Sequence, residues 1–313
     1  MKALIVGGTR FLGLNITHRL AASGDDVFVV NRGRTEADLP DGVTRLQADI
    51  KEPGQLEAAV GDMTFDAAIH MIAMSASTAE CVLDVIADRI GHYIQCGSVG
   101  VYAPLKYIPA DEEHPIDPLP NEMGGFGHKL AADNRAAEIC AEHNLPLTIL
   151  RPSAIIGAGA VPIDLWGGRE PGLFQQMLDG EPVIVPDDGR ALIQFGHVAD
   201  LATAFVAAAH KPEATGVFNI SSRYAITLNY YTDVLAGCIG VEPNVQHMPA
   251  EQIIEKYGDS GMLNARGLRF LCHHMCYRID KAVRELGFDP DYTAEAAIED
   301  SVQWMFEKDI ISR

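Results

Sequence analysis

The sequence predicts an α/β protein built on a doubly wound parallel sheet. Short apolar runs alternate with helical patterns over roughly the first 150 residues. Several runs, such as residues 65–73, are apolar almost throughout, as in strands that are covered on both faces. A glycine-rich turn also joins the first strand to the first helix. Strands that alternate with helices and connect by right-handed crossovers give this class of sheet.

The first strand, turn and helix are read from residues 2–13, KALIVGGTRFLG. Gly7 allows a sharp turn, and Gly13 lets the helix lie close to the strand because it has no side chain. The glycine spacing is G-x-x-G-x-x-G, with Arg10 in place of the middle glycine. An ordinary strand–helix turn is the alternative, but amides at a helix N-terminus favour an anion. We expect a dinucleotide pyrophosphate here, bound by Gly7, Thr9, Arg10, Phe11, Leu12 and Gly13.

The second strand, residues 27–30, ends at the position that recognises the adenosine ribose in such folds. An acid usually stands there to bind the 2′-hydroxyl, whereas this chain has Asn31 followed by Arg32. A carboxylate would repel a 2′-phosphate and a guanidinium would bind one. A solvated arginine is the alternative. NADP is therefore the predicted cofactor, with NAD as the second choice.

The third and fourth strands are predicted over residues 44–50 and 65–73. At the end of the third, Asp49 is expected to bind the adenine amine and Ile50 to pack on the ring. At the end of the fourth, Ile72 and Ala73 are expected at the cofactor. His70 is predicted to be a packed histidine at a strand end. Residues 77–80, STAE, have capping-box spacing, so a helix is predicted from there to about residue 90.

The fifth strand, residues 92–96, leads to Ser98 and Tyr102 and then into a proline-rich loop over residues 103–120. An alanine-rich helix over residues 126–143 carries Lys129. The sixth strand, residues 147–150, ends before Arg151 and Pro152, and Pro152 is expected to contact the cofactor.

Beyond residue 153 the pattern becomes irregular, and residues 157–172 are rich in Gly and Pro. An apolar helix from His197 and a strand over 217–220 return the chain to the sheet, and a last helix covers 293–308. We expect a dinucleotide-binding domain formed by residues 1–155 and about 194–222. A smaller C-terminal substrate-binding subdomain is expected from about 156–193 and 223–313.

Composition limits the partners. The 313 residues include 24 Lys and Arg and 43 Asp and Glu, a formal charge of −19. Such a surface repels nucleic acid and anionic membranes, so neither is predicted as a partner. A local positive site for an anionic ligand is expected from five arginines: Arg10, Arg32, Arg34, Arg151 and Arg190.

The location and metal content also follow from the sequence. The first strand starts at residue 2 and the longest apolar helical run covers only 201–209, so no signal peptide or membrane span is expected. The six cysteines lack the spacing of a disulfide framework, which favours the cytoplasm. Residues 272–276, CHHMC, hold four potential metal ligands too close together to converge on one tetrahedral ion. A packed segment is predicted there and no metal.

Several motifs occur in the order seen in one large family. They are GGTRFLG at 7–13, Ser98 to Tyr102, Lys129, Arg151-Pro152, HVAD at 197–200 and GVFNI at 216–220. Together they resemble the extended short-chain dehydrogenases/reductases, and within them atypical members of the NAD-dependent epimerase/dehydratase family. The resemblance covers nearly the whole chain. It implies a Rossmann fold, a nicotinamide cofactor and a homodimer formed through the helices at 77–90 and 126–143.

The resemblance also implies a catalytic set of Ser or Thr, Tyr and Lys. An unperturbed phenol has a pKa of about 10. A nearby ammonium lowers that pKa, and the same Lys holds the nicotinamide ribose. Ser98 matches the serine, which orients the substrate oxygen, and Lys129 matches the lysine. The tyrosine position, four residues before Lys129, is Gly125.

Another proton carrier must therefore replace the phenol in an enzyme. Tyr102 is predicted for this role because it leaves the same strand end as Ser98, and His128 is the second candidate. The letters Y-x-x-x-K also occur at Tyr102–Lys106, but Pro104 interrupts them, so they are not expected to share a helical face.

Two functions are compatible with this pattern. The first is an NAD(P)-dependent oxidoreductase, epimerase or dehydratase that moves a hydride between nicotinamide and a sugar, sugar nucleotide or similar polyol. The second is a redox-inactive protein that binds NADP or a sugar. Chloroplast stem-loop RNA-binding proteins resemble the same GGTRF pattern, but RNA binding needs a basic face, and the charge of −19 disfavours it.

Overall fold

The computed structural model describes residues 1–34, 36–117, 125–258, 260–261 and 263–313. Residues 118–120 of the predicted loop lie outside this range. The strands are β1 (Lys2–Val6), β2 (Asp26–Asn31), β3 (Thr44–Gln47), β4 (Ala67–His70), β5 (Tyr93–Cys96), β6 (Leu147–Pro152), β7 (Ala154–Ile156), β8 (Val183–Pro186), β9 (Leu192–Ile193), β10 (Phe195–His197), β11 (Gly216–Ile220), β12 (Ile226–Thr227) and β13 (Val245–Met248). The α-helices are α1 (Phe11–Ala22), α2 (Gln55–Val60), α3 (Ala76–Ile86), α4 (Gly125–Glu142), α5 (Gly172–Leu178), α6 (Val198–His210), α7 (Leu228–Ile239), α8 (Ala250–Tyr257), α9 (Ala265–Leu271) and α10 (Ala294–Glu307).

In the described part of the chain, seven parallel strands form the main sheet in the order β11-β6-β5-β4-β1-β2-β3. Val6 of β1 lies between Val30 of β2 and His70 of β4, so these strands end side by side. The chain winds outward from β1 to β3 and then returns to β4 on the other side of β1. Ligands of such sheets bind in the crevice where the winding reverses, beyond the carboxyl ends of the strands.

Helices cover both faces of this sheet. On one face α1 packs against α6, and on the other α3 packs against α4. The strand side chains between them are fully buried, such as Leu4 and Ile5 on the two sides of β1. The predicted doubly wound Rossmann sheet is therefore confirmed.

A further apolar cluster lies over the C-terminal part of the chain. It packs α7 and α10 around buried residues such as Phe195 and Tyr231. Small two-stranded sheets, β10 with β7, β12 with β9 and β13 with β8, accompany it. These pairings join segments that are far apart in sequence, which explains the irregular pattern beyond residue 153.

Some predicted boundaries are wrong. β3 ends at Gln47 and β4 at His70, so Asp49, Ile50, Ile72 and Ala73 lie in the loops that follow these strands. The cap of α3 is also two residues earlier than predicted, because Ser75 Oγ accepts from the Thr78 amide while Thr78 Oγ1 accepts from the Ser75 amide.

Two buried histidines, one at the end of β4 and one directly before β5, couple stability to pH. His70 lies 2.7 Å from the Tyr93 hydroxyl through Nδ1, and His92 lies 2.8 Å from Thr148 Oγ1 through Nε2. Burial lowers the pKa of His70 to about 3 and that of His92 to about 4. Both stay neutral in the folded chain while the unfolded chain binds protons below about pH 6.5. Their contribution to stability is therefore complete above that pH and is lost as the pH falls toward 4.

As the pH falls from roughly 6 to 4.5, each of these histidines should lower the free energy of unfolding by about 1.4 kcal/mol per pH unit. Urea unfolding of His92→Gln should therefore show a pH slope that is shallower by about that amount. Gln303 is exposed and carries no titratable group, so Gln303→Asn is the control and should keep the parent slope. Equal slopes in the parent and His92→Gln would contradict this assignment.

Candidate functional site

The carboxyl ends of β1 and β2 and the loops after β3 and β4 enclose a cavity of about 470 Å³. It lies where the winding of the sheet reverses. Its walls are Gly7, Thr9, Arg10, Val30, Asn31, Arg32, Arg34, Ala48, Asp49, Ile50, Lys51, Ile72, Met74 and Thr78. The structure thus brings together eight of the residues predicted to bind the cofactor: Gly7, Thr9, Arg10, Asn31, Arg32, Asp49, Ile50 and Ile72.

The glycine turn forms the floor of this cavity. Gly7 has a φ of +96°, a conformation that glycine adopts without strain. A Cβ on Gly13 would lie 2.2 Å from the Gly7 carbonyl oxygen, so α1 approaches the turn as closely as backbone allows. Arg10 is the N-cap of α1 and its side chain makes no cap hydrogen bond. The first amides of the helix therefore face the turn without a side-chain cap, as an anion site requires.

The end of the cavity beside β2 contains an amide and several cations. Asn31 Oδ1 accepts from the Gly33 amide at 2.7 Å, and its buried Nδ2 has no hydrogen-bond partner among the residues that the structure describes. Arg32 Nη1 lies 4.0 Å from Asp49 Oδ2, and the Arg32 side chain is 57% exposed. Arg34 and Lys51 complete this wall. A ligand with hydroxyl or phosphate oxygens would satisfy these donors.

Two apolar side chains form the opposite wall. Ile72 is 42% exposed and Met74 is 56% exposed, and both line the cavity. Large apolar side chains grouped at a cleft are typical of a ligand-binding surface. A flat aromatic ring such as adenine would cover them. The residues present therefore fit a dinucleotide: this apolar wall suits the adenine, the unpartnered Asn31 amide suits a ligand oxygen, and Gly13 lets α1 approach the turn closely.

The remaining predicted contacts lie outside this cavity. Leu12 and Ala73 are 4% and 0% exposed and pack in the core, so their side chains do not reach a ligand there. Pro152 lies at the buried end of β6, and Phe11 and Gly13 begin α1. Two of the five arginines expected to attract an anion are also elsewhere: Arg151 is buried against Asp133, and exposed Arg190 pairs with Asp188.

Ser98 and Lys129 each have a contact near the carboxyl end of β5. Ser98 Oγ accepts from the Gly100 amide at 3.2 Å and caps a 3-10 turn over Val99–Tyr102. Lys129 is 8% exposed, and its Nζ donates to the Cys96 carbonyl oxygen at 2.7 Å. A hydroxyl and an ammonium therefore lie near the end of β5. In the sheet, β5 is separated from β1 by β4.

Tyr102 does not lie where the sequence analysis expected it. Its side chain is 1% exposed, and its hydroxyl donates to Asn219 Oδ1 at 3.1 Å. The Arg151 guanidinium lies 4.9 Å from the centre of its ring. Burial raises the pKa of this phenol, which makes it a poorer proton carrier at neutral pH. The prediction that Tyr102 replaces the missing phenol as proton carrier is wrong, because its buried hydroxyl is bonded to Asn219 on β11.

Tyr102→Phe should consequently affect stability rather than turnover. Loss of the hydroxyl leaves Asn219 Oδ1 buried without its donor, which costs about 1–3 kcal/mol of unfolding free energy. Urea denaturation measures this. Tyr107→Phe is the matched control, since exposed Tyr107 donates to Asp111. If Tyr102→Phe kept the parent stability but lost most of its turnover, Tyr102 would take part in the reaction and this correction would be refuted.

Other sequence expectations can be placed directly. Lys106 pairs with Asp117 on the surface while Tyr102 is buried in a 3-10 turn, so the letters Y-x-x-x-K do not form a pair, as predicted. His128 is exposed. Residues 272–276 form a packed segment, with Met275 buried and His274 Nδ1 accepting from the Leu192 amide.

The described residues contain neither a metal site nor a membrane-spanning helix. Within that part of the chain, no three His, Cys, Asp or Glu side chains are arranged to hold one metal ion. None of the helices described above has the length and apolar character needed to cross a membrane.

Comparison with known proteins defines the class. A model of the NAD dependent epimerase/dehydratase family matches residues 3–221. The chain belongs to this family, so the family prediction is confirmed. The family is NAD dependent, which confirms the class of cofactor, a nicotinamide dinucleotide. The preference for NADP over NAD stays a prediction.

Individual relatives carry different functions. The chloroplast stem-loop binding protein of 41 kDa b of Arabidopsis thaliana is 27% identical, over 96% of this chain and 78% of its own length. The UDP-glucose 4-epimerase of Corynebacterium glutamicum is 24% identical, over 98% of this chain and 95% of its own. A solved dTDP-glucose 4,6-dehydratase of Bacillus anthracis in complex with NAD superimposes with a TM-score of 0.77 at 19% identity, covering 98% of this chain and 97% of that one.

Proposed function

We propose that this protein is an NAD(P)-dependent epimerase, dehydratase or reductase that acts on a sugar nucleotide or a similar polyol. The observation that carries the proposal is the cavity at the glycine turn. Its uncapped helix amides, orphaned Asn31 amide, basic wall and apolar wall each match one part of a dinucleotide. The names of the curated epimerase and the solved dehydratase support the sugar-nucleotide class.

Each part of the site has a role in this proposal. The amides at the start of α1 bind the pyrophosphate, Asn31 the adenosine ribose, and Ile72 and Met74 the adenine. Nicotinamide supplies hydride acceptance and donation when bound. Lys129 binds the nicotinamide ribose and places a positive charge beside the reacting oxygen, and Ser98 orients that oxygen through its hydroxyl.

We further propose that NADP is preferred. Arg32, Arg34 and Lys51 line one end of the cavity, where an acid would oppose a 2′-phosphate. The acid at this end of the cavity is Asp49, and its Oδ2 lies 4.0 Å from Arg32 Nη1. A 2′-phosphate would compete for this guanidinium with a higher charge.

Cofactor choice gives a direct test. NADPH should bind more tightly than NADH, and Arg32→Ala should narrow the difference by about tenfold, because a charge-assisted hydrogen bond is worth roughly 1.5–3 kcal/mol. Calorimetric titration of both nucleotides measures this. Exposed Arg190, which pairs with Asp188 away from the cavity, is the control position. Equal affinities of the parent for both nucleotides would refute the preference.

The assembly and location are proposed on separate grounds. A homodimer through α3 and α4 is supported by the family resemblance. The two helices also share a partly exposed surface, where Arg135 of α4 pairs with Glu80 of α3. Cytoplasmic location is supported by six free cysteines, which fit a reducing compartment. The apolar cluster around α7 and α10 is distinct from the two clusters that flank the main sheet, which supports the proposed substrate-binding subdomain. Val99, Val101 and Tyr102 join this cluster from the proposed nucleotide-binding domain.

The experiment that tests the proposed reaction uses UDP-glucose and dTDP-glucose as probes. The chain is incubated with each sugar nucleotide and NADPH or NADP, and products are separated by chromatography. A changed sugar, or a change in nicotinamide absorbance that needs the sugar, supports the proposal. Nucleotide binding with no conversion of either probe would favour the redox-inactive alternative.

A further inference from the structure

The first residue of α1 has an unusual backbone conformation. Phe11 has a φ of +42°, in the left-handed region that a bulky side chain rarely adopts. In the part of the chain that the structure describes, the other residues with positive φ are glycine, asparagine or aspartate, which tolerate it. Such a conformation persists only where neighbouring contacts hold it, and it is typical of functional sites.

The φ of Phe11 sets the direction of its amide relative to the helix. Rotation about the N–Cα bond turns the peptide that joins Arg10 to Phe11, and +42° differs from the helical value of about −63° by about 105°. This peptide lies at the glycine turn, where Arg10 is the N-cap of α1. Relaxation of Phe11 to a helical φ would therefore turn the first amide of the helix away from its direction in the structure.

A short segment directly after β7 covers the Phe11 ring. We call this segment, residues 157–159 (Gly-Ala-Gly), the clasp. A Cβ on Gly159 would lie 3.3 Å from Phe11 Cδ2, and Gly159 has a φ of +110°, so the backbone of the clasp packs directly on the ring. A change of φ at Phe11 rotates the ring relative to the glycine turn. A ring that is held by the clasp opposes that change.

The clasp is held by two consecutive side chains of α10. The Gly157 amide donates to Ser301 Oγ at 2.8 Å, and the Ala158 amide donates to Asp300 Oδ2 at 2.7 Å. Ser301 is fully buried, and its hydroxyl donates to the Ala297 carbonyl oxygen at 3.0 Å. The last helix of the described chain is therefore joined by direct contacts to the first residue of α1.

A histidine at the end of β10 fixes the direction of Asp300. His197 Nδ1 accepts from the Ala199 amide at 3.3 Å, so Nε2 carries the proton and donates to Asp300 Oδ2 at 3.1 Å. The Tyr292 ring stacks on the imidazole, with ring centres 3.5 Å apart. One oxygen of Asp300 thus accepts from both His197 and the clasp, although the side chain is 36% exposed.

We infer that Asp300 is a positioning residue for the cofactor. Through the clasp it holds Phe11 in the left-handed conformation, and it thereby fixes the first amide of α1. The consequence for cofactor binding rests on the proposed function, since that amide is there assigned to the pyrophosphate. The contacts that lead from α10 to the glycine turn do not rest on it and can be measured in the protein without nucleotide.

Replacing Asp300 by alanine should lower the affinity for NADPH and for NADH alike by about tenfold, because Ala158 loses a charge-assisted hydrogen bond and the clasp releases the ring. Asp300→Asn keeps one oxygen for both donors and should retain most of the affinity. Glu299→Ala is the matched control, because Glu299 is an exposed acid on the same helix, and it should bind as the parent does. Calorimetric titration measures these affinities.

Two variants of Phe11 test its backbone directly, and neither depends on whether Asp300→Ala folds. Phe11→Ala removes the ring that the clasp holds, so the backbone should relax and nucleotide affinity should fall by about tenfold. Phe11→Gly also removes the ring, but glycine adopts a positive φ without strain, so it should bind more tightly than Phe11→Ala. Parent affinity in folded Phe11→Ala would overturn the inference.

A double variant shows whether Asp300 acts through Phe11. In the Phe11→Ala background, adding Asp300→Ala should change nucleotide affinity by less than about twofold, because the contact with the ring is already lost. The same loss in both backgrounds would overturn the inference and leave Asp300 a structural residue. Parent affinity in folded Asp300→Ala would overturn it as well.

Hydrogen exchange separates this inference from the proposed function. In the chain without nucleotide, the amides of residues 10–14 should exchange about tenfold faster in Asp300→Ala than in the parent, and at the parent rate in Glu299→Ala. Faster exchange in a protein whose parent binds neither NADPH nor NADH supports the clasp and refutes the proposed function alone. NADPH binding that is equal in the parent and in all variants supports the proposed function and overturns the inference.

Discussion

Replacing Gly13 by alanine is expected to lower affinity for NADPH and NADH by about 100-fold or more, since displacements near 1 Å have effects of this size. The added methyl would lie 2.2 Å from the Gly7 carbonyl oxygen, which is backbone and cannot rotate away. α1 must then move from the turn, and its first amides move with it. Overpacking of this kind costs about 1–3 kcal/mol of stability, so the chain should stay folded.

Gly237→Ala is the matched control for this variant. Gly237 also lies in a helix, but a Cβ there would meet nothing within 4 Å. Alanine should leave nucleotide affinity unchanged and add about 0.5–1 kcal/mol of stability. Fluorescence titration and urea unfolding of the two variants give both quantities. Nucleotide affinity retained in Gly13→Ala would show that the turn is only structural.

Replacing Lys129 by methionine is expected to lower kcat/KM by about 10²–10⁴, the usual range for a group that assists proton transfer. With Gly125 at the tyrosine position, Lys129 is the ammonium placed at the strand end of Ser98, and methionine keeps its length without its charge. Ser98→Ala should have a smaller effect because it removes one orienting hydrogen bond. Conversion of UDP-glucose or dTDP-glucose, whichever is a substrate, provides the assay.

The lysine of the rejected Y-x-x-x-K letters is the control. Lys106 is exposed and pairs with Asp117, so Lys106→Met should keep parent turnover. Equal losses in Lys106→Met and Lys129→Met would contradict the assignment of the site. Full turnover in Lys129→Met would show that Lys129 does not assist proton transfer. Because Tyr102 is buried, His128 would then be the next candidate for that role.

The sequence was sufficient where neighbouring residues decide the structure. The glycine turn is one example, because Gly7 and Gly13 fix the strand, the turn and the helix within twelve residues. The end of β2 is another, since Asn31 and Arg32 follow directly from a run of apolar residues. Gly7, Asn31 and Arg32 line the cavity, and their contacts with a dinucleotide stay a prediction.

Prediction failed where distant residues decide. The direction of Tyr102 is set by Asn219, which is 117 residues away and reaches it only because β11 pairs with β6. Lys51, Met74 and Thr78 were missed because they lie in loops or at a helix start, and strand order alone brings them to one cavity. The contact of Asp300 with Ala158 likewise has no local signature in the sequence.

Titration of the intact chain with NADPH, followed by nicotinamide fluorescence, tests the central claim most directly. The account predicts saturable binding at one site per chain, lost in Gly13→Ala and kept in Gly237→Ala. Absence of saturable binding of both NADPH and NADH to the folded parent chain would contradict it.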